Sequence, residues 1–331
     1  MDSISPEGIC PLCDDPIALK GDSSEHIIPN SIGGRRTIRG FICKDCNSRT
    51  GDSWDAEIWR QFSHVAMMHG VDRDRGEPPS MQIQTVDGNR YLLLPDGRMT
   101  IERPIFSAVD GERGTNINIT ARDAKEARRM AKQVVRKYPK LELQNLLSTM
   151  TARETPLDSP VTFTSGFGGE LAGRSMVKSA IALAVSVGLS ARTCDVAMAY
   201  LRDSAATPSY AFFYIRDLVA NRPHTHAFNC VSVVGDPLRR KLLGYVEYFS
   251  MSRIVVIMSD TYDGECFRST YAFNPANGDS LDLQIDLDLS DGELELVREN
   301  NAVSDETYRA ALDAGFGIVY ERSRMRQWER A

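Results

Sequence analysis

Four cysteines stand in two CxxC pairs, Cys10 and Cys13 in C-P-L-C and Cys43 and Cys46 in C-K-D-C, separated by a connection of about 30 residues. Four thiolates at this spacing form the closed tetrahedral donor set of a structural zinc. Such a cation can hold together a module too small to fold on an apolar core alone. A redox dithiol is the competing use of a CxxC pair. The other cysteines, Cys194, Cys230 and Cys266, are single and read as buried small hydrophobes.

Between the knuckles lies Glu25-His26, in E-H-I-I-P, and Asn47 follows the last cysteine directly. Carboxylate and amide oxygens are hard ligands for a divalent cation, and an imidazole beside them can take a proton from water. Two such ligands leave most of the coordination shell to water and phosphate oxygens, which suits Mg²⁺. The bland alternative is a surface pair in a zinc-stabilised binding module without catalysis.

The order CxxC, acid-His-x-x-Pro, Gly33-Gly34, CxxC-Asn resembles the HNH endonucleases of the ββα-metal superfamily, in the branch with a four-cysteine zinc. The resemblance covers about the first 60 residues. It implies that His26 is the general base and that Glu25 and Asn47 hold a catalytic Mg²⁺ or Mn²⁺. It also implies that Cys10, Cys13, Cys43 and Cys46 hold the structural zinc, and that cleavage leaves 5′-phosphate and 3′-hydroxyl ends. Two positions depart from the family pattern. The segment before the third cysteine, T-I-R-G-F-I, lacks the asparagine that orients the histidine, leaving Thr37, Arg39 or a backbone carbonyl for that task. Gly51 stands where many members carry a second histidine ligand. Asp52 and Asp55 either assist through water or cap the helix.

These residues need elements to hold them. Apolar pieces at Ile27-Ile28 and Ile38 to Ile42 flank the S-I-G-G-R-R turn and predict a distorted hairpin. Trp54, Ile58, Phe62, Val65 and Ala66 recur at helical spacing, and Gly70 ends that helix. D-R-D-R-G-E-P-P-S, from Asp72, is a polar linker. Beyond it, M-Q-I-Q-T-V, R-Y-L-L-L and R-M-T-I-E, joined by Asp87-Gly88 and Asp96-Gly97, predict a three-stranded meander. A strand near Asn116 to Ile119 leads into a helix expected to be capped by Thr120, with a basic stripe of Arg122, Lys125, Arg129, Lys132 and Arg136. An apolar helix over 174–187 and a second over 192–201 precede β runs at 211–215, 226–234, 242–249, 253–258, 269–273 and 281–287. A short helix over 305–314 closes the pattern. Ser175 and Lys178 match an S-x-x-K spacing, but the apolar helix around them carries no supporting acyl-enzyme motif.

At 331 residues, 42% hydrophobic and 25% charged, the chain is long enough for roughly two ordinary globular domains. No apolar run reaches the ~20 residues that span a bilayer, and the start lacks the pattern of a secretory signal. A cytoplasmic protein without membrane association is expected. The net charge of −6 gives no global case for nucleic acid. Positive charge is concentrated instead at Arg35, Arg36, Arg39, Lys44 and Arg49, which would meet a phosphate backbone beside the metal, and along 120–140.

The expected fold class is α+β: a ββα-metal head over 1–72, a mixed strand–helix domain over 80–205 with the basic helix 121–138, and a mainly antiparallel β region over 206–331, as open sheet or partial barrel. The expected function is hydrolysis of phosphodiester bonds in DNA, duplex by preference, in a setting such as restriction, phage defence or a mobile element. The alternatives are a regulatory zinc module without catalysis, or an HNH effector gated by a small ligand or partner bound to the body. A homodimer is compatible with either.

Overall fold

The computed structural model describes residues 8–71, 73, 76, 78–111, 114–153, 156–163 and 166–328. The N-terminal segment 1–7 and part of the linker expected from Asp72 lie outside them. The chain forms two compact units: Met1–Glu77 together with Ser165–Ala331, and Pro78–Thr164.

The head begins with a single helical turn, α1 (Ile17–Lys20), and a two-residue hairpin, β1 (Glu25–His26) against β2 (Thr37–Ile38), in the register Glu25↔Ile38 and His26↔Thr37. Gly34 closes the turn between them. A Cβ there would lie 1.8 Å from the carbonyl oxygen of Ile28, so only glycine fits. Helix α2 (Lys44–Thr50) starts on the cap Cys43, whose sulfur accepts from the Cys46 amide. It runs through a π-helical turn (Gly51–Asp55) into α3 (Ala56–His69), which Gly70 ends. Ile58, Phe62, Val65 and Ala66 are buried, as their spacing predicts.

The unit Pro78–Thr164 contains the predicted meander as β3 (Met81–Thr85), β4 (Arg90–Leu93) and β5 (Met99–Ile101). A separate antiparallel ribbon, β6 (Ile105–Gly111) with β7 (Gly114–Thr120), leads to α4 (Ala124–Lys137) and α5 (Leu143–Ser148). The cap of α4 is Asp123, which accepts from the Glu126 amide; Thr120 ends β7 instead of capping the helix. The stripe on α4 is exposed, with Arg122 and Arg129 both paired to Glu126. Strand β8 (Val161–Thr162) adds to the outer edge of β3.

The body resumes with α6 (Glu170–Ser186), buried on nearly every side from Ala172 to Val185, followed by α7 (Asp195–Arg202). Burial on nearly every side puts this mainly apolar helix at the centre of the body. It crosses a five-stranded antiparallel sheet of β9 (Tyr210–Phe212), β10 (Asn229–Asp236), β11 (Lys241–Tyr248), β12 (Ser252–Ser259) and β13 (Phe267–Phe273), in the order β13-β10-β11-β12-β9. The sheet is open, with no closed barrel among the described residues. Its side chains alternate between two cores. Val231, Val233, Val246 and Val256 face α6, while Cys230, Leu243, Tyr245 and Val255 face Leu283, Ile285 and Leu287 on the other side. Gly244 lets α6 approach closely, since a Cβ there would lie 3.0 Å from that of Ala180.

The run 281–287, expected as a strand, makes only isolated bridges such as Val219↔Ile285. It covers the sheet's second face as an irregular segment. Helix α8 (Asp291–Arg298), with a Ser290–Glu293 capping box, was not anticipated, and α9 (Asp305–Trp328) runs much further than the short helix expected. Cys194 and Cys230 are buried as predicted, whereas Cys266 is exposed.

Candidate active site

The two knuckles bring their four sulfurs within 4.8 Å of one another. Cys13 and Cys43 are 3.8 Å apart, the edge expected of a tetrahedron with metal–sulfur bonds of about 2.3 Å. Cys10, Cys43 and Cys46 are buried and Cys13 lies at the surface. Although the residue is largely exposed, desolvation of its sulfur against the other knuckle raises the Cys13 thiol to about 11, a cost that a bound cation would offset. The Arg49 guanidinium sits 3.5 Å from the Cys46 sulfur. On the body side, Arg202 of α7 holds the first knuckle, donating to the Pro11 carbonyl at 2.5 Å and to Asp14 at 2.6 Å.

Glu25 is buried on β1. Its Oε1 lies 2.5 Å from the Nζ of Lys178, which projects from α6. The same ammonium lies 2.7 Å from Asp55 Oδ2 and 3.5 Å from Thr50 Oγ1, and Thr50 in turn donates to the Asn47 carbonyl at 3.2 Å. Ser175, one turn earlier on α6, donates to Asp55 Oδ1 at 2.6 Å. The strand that carries Glu25 and the helical turn that carries Asn47 therefore converge on one lysine. Burial pushes the Glu25 carboxyl up to about 7, against the lowering field of Lys178. Burial alone would lower Lys178, but the Asp55 and Glu25 carboxylates outweigh it and hold the ammonium above the ordinary lysine value.

His26 is half-buried, with Thr37 directly opposite it in the hairpin register. Asn47 is half-buried on α2. Asp55 makes no capping bond despite standing at the start of α3; its two oxygens are committed to Ser175 and Lys178. The π-helical turn inserts an extra residue between Asn47 and α3, and such turns re-aim the side chains beyond them. Glu25 and Asn47 offer oxygen donors, the chemistry a hard divalent cation requires.

Residues 10–63 match the family model of the HNH endonucleases. The head is thus similar to an HNH endonuclease module. No curated protein and no solved structure matches the chain. Within the head, the basic residues fall into separate surroundings. Arg35 and Arg36 are exposed and line an open groove of about 500 Å³ with Tyr271, Phe273 and Gly278 of the body. Arg39 lies 3.9 Å from Asp22, while Lys44 is exposed on α2. The sequence singles out both Asp55, as a capping or water-assisting residue, and Lys178, in an S-x-x-K spacing, but not as partners of each other or of Glu25. Their signal was present in the S-x-x-K spacing, whose two side chains serve a carboxylate of the head and not an acyl-enzyme.

No described helix is long and apolar enough to cross a membrane.

Proposed function

We propose that the chain is a metal-dependent DNA endonuclease acting on duplex DNA, with His26 as general base, Glu25 and Asn47 as ligands of a catalytic Mg²⁺ or Mn²⁺, and Cys10, Cys13, Cys43 and Cys46 as ligands of a structural zinc. The observation that carries this reading is the conjunction of the HNH match over residues 10–63 with Glu25 and the Asn47 turn meeting at one buried point. His26 takes the proton of the attacking water on its imidazole, and Thr37, its partner in the hairpin register, is the candidate for orienting the ring. A bound divalent cation supplies Lewis-acid stabilisation of the scissile phosphate and of the leaving 3′ oxygen. Arg35, Arg36, Arg39, Lys44 and Arg49 contribute salt-dependent contacts to the phosphate backbone, without reading sequence.

The test is cleavage of supercoiled plasmid in Mg²⁺, Mn²⁺ or EDTA by wild type and His26→Ala. Wild type is expected to cut only with a divalent cation. His26→Ala is expected to lose at least about 100-fold in rate, while zinc content and melting temperature persist. Unchanged cleavage by the variant would remove His26 from the chemistry, and no cleavage by wild type of any duplex or single strand would favour the non-catalytic zinc module.

A further inference from the structure

We propose that Lys178, carried by α6 of the body, is a positioning residue of the nuclease site, fixing the Glu25 carboxylate so that the head's metal ligand is held by the body. This rests on the reading of Glu25 as a ligand of the catalytic metal.

Lys178 sits mid-way along a buried helix that is small and apolar from Ala180 to Val185, with a side chain only 2% exposed. Taking an ammonium out of water costs several kcal/mol, and a well-packed apolar side chain would stabilise such a helix at least as well. Stability alone therefore does not account for a lysine there. Its surroundings do. Asp55 of the head is anchored to α6 through both oxygens, by Ser175 at 2.6 Å and by Lys178 at 2.7 Å, so the lysine is aimed by one carboxylate as it meets the other. The 2.5 Å contact to Glu25 Oε1 then sets the orientation of the carboxylate on β1. A ligating carboxylate is commonly fixed by such an outer partner, and losing it costs about 10–100-fold in metal affinity.

Charge balance agrees. Glu25, Asp55 and Lys178 sum to −1 when all are ionised; with a divalent cation the set reaches +1, the complement of one phosphodiester. Without Lys178 the same set would sum to zero with the metal and offer the substrate no net attraction.

The experiment uses full-length, zinc-loaded protein. Mn²⁺ binding is followed by electron paramagnetic resonance in wild type, Lys178→Met, Lys178→Arg, Asp55→Asn and Glu25→Gln, alongside kcat and KM for plasmid and a thermal melt. Lys178→Met is expected to weaken Mn²⁺ binding by about 10-fold or more and to lower kcat with little change in KM for DNA. Lys178→Arg, which keeps the charge, is expected to recover part of both. Should Lys178→Met fail to fold, Asp55→Asn carries the test: it leaves the lysine in place but unanchored and is expected to weaken Mn²⁺ binding severalfold. Wild-type or tighter Mn²⁺ binding in a folded Lys178→Met or, failing that, in Asp55→Asn, while Glu25→Gln binds poorly, would overturn the positioning role alone. Undiminished Mn²⁺ binding by Glu25→Gln would instead overturn Glu25 as a ligand.

Discussion

His64 gives a quantitative test of how the head is packed onto the body. It lies on α3, 4% exposed, with its ring stacked 6.4 Å from that of Phe316 on α9. Burial lowers its pKa from 6.5 to about 4. Above pH 6.5 the ring is neutral in both folded and unfolded chains and contributes no pH dependence. Between pH 6.5 and 4 the unfolded chain binds a proton that the folded chain excludes, so stability falls as pH falls. Over about 2.5 pH units, at about 1.36 kcal/mol each, the loss approaches 3 kcal/mol. Glu25 works in the opposite sense. Raised from 4.5 to about 7, it favours the folded state as pH drops through that window, so the wild-type profile alone is blunted. The comparison is therefore urea unfolding of wild type and His64→Leu at intervals from pH 7 to pH 4. The unfolding free energy of wild type minus that of His64→Leu is expected to be constant above pH 6.5 and to fall by about 3 kcal/mol by pH 4. A difference that stays flat across the range would refute the burial of a neutral imidazole at this position.

Gly34→Ala would drive a Cβ to within 1.8 Å of the Ile28 carbonyl oxygen, a backbone clash that no rotamer relieves. A thermal melt should show a loss of about 3 kcal/mol or more, with cleavage falling in step because Ile28 follows His26 so closely. Arg222→Ala would strip one of the two arginines from Glu247, a carboxylate with no solvent exposure, leaving Arg253 alone to balance it. The expected cost is about 3–5 kcal/mol in urea unfolding. Cys46→Ser should reduce bound zinc from one per chain, by elemental analysis, and chelation of wild type should loosen the head as monitored by proteolysis.

The four-cysteine cluster and the hairpin turn of the head were legible because their residues are tied to fixed spacings. A tetrahedral metal constrains CxxC pairs, and the turn at Gly34 can be built only with glycine. The meander was legible for a related reason, since Asp-Gly turns set hairpin ends. Less local features were missed. Segment 281–287 alternates like a strand because it lays Leu283, Ile285 and Leu287 on the sheet, yet it pairs with almost nothing. Alternation records which face is covered and not whether a ladder forms. Thr120 and Asp123 both suit a cap, and choosing between them depends on where β7 stops. The Lys178–Glu25 pair is 153 positions apart in sequence (178 − 25 = 153) and joins two elements whose approach no local pattern encodes.

The apolar core runs without a break from Ile28, Phe41 and Phe62 of the head to Met176 and Ile181 of α6 and Val246 of the sheet. The order of synthesis then matters. Residues 8–71 leave the ribosome about a hundred residues before α6 does, with Glu25 still lacking Lys178 and Ile28 and Phe62 still wet. On the proposed function, a growing chain would carry the cysteine knuckles before it carried the complete site, and truncation before α6 is expected to yield a fragment unable to cut. Stalled chains released before and after residue 186 offer a direct comparison. Cleavage by the shorter set would show that the head matures without the body.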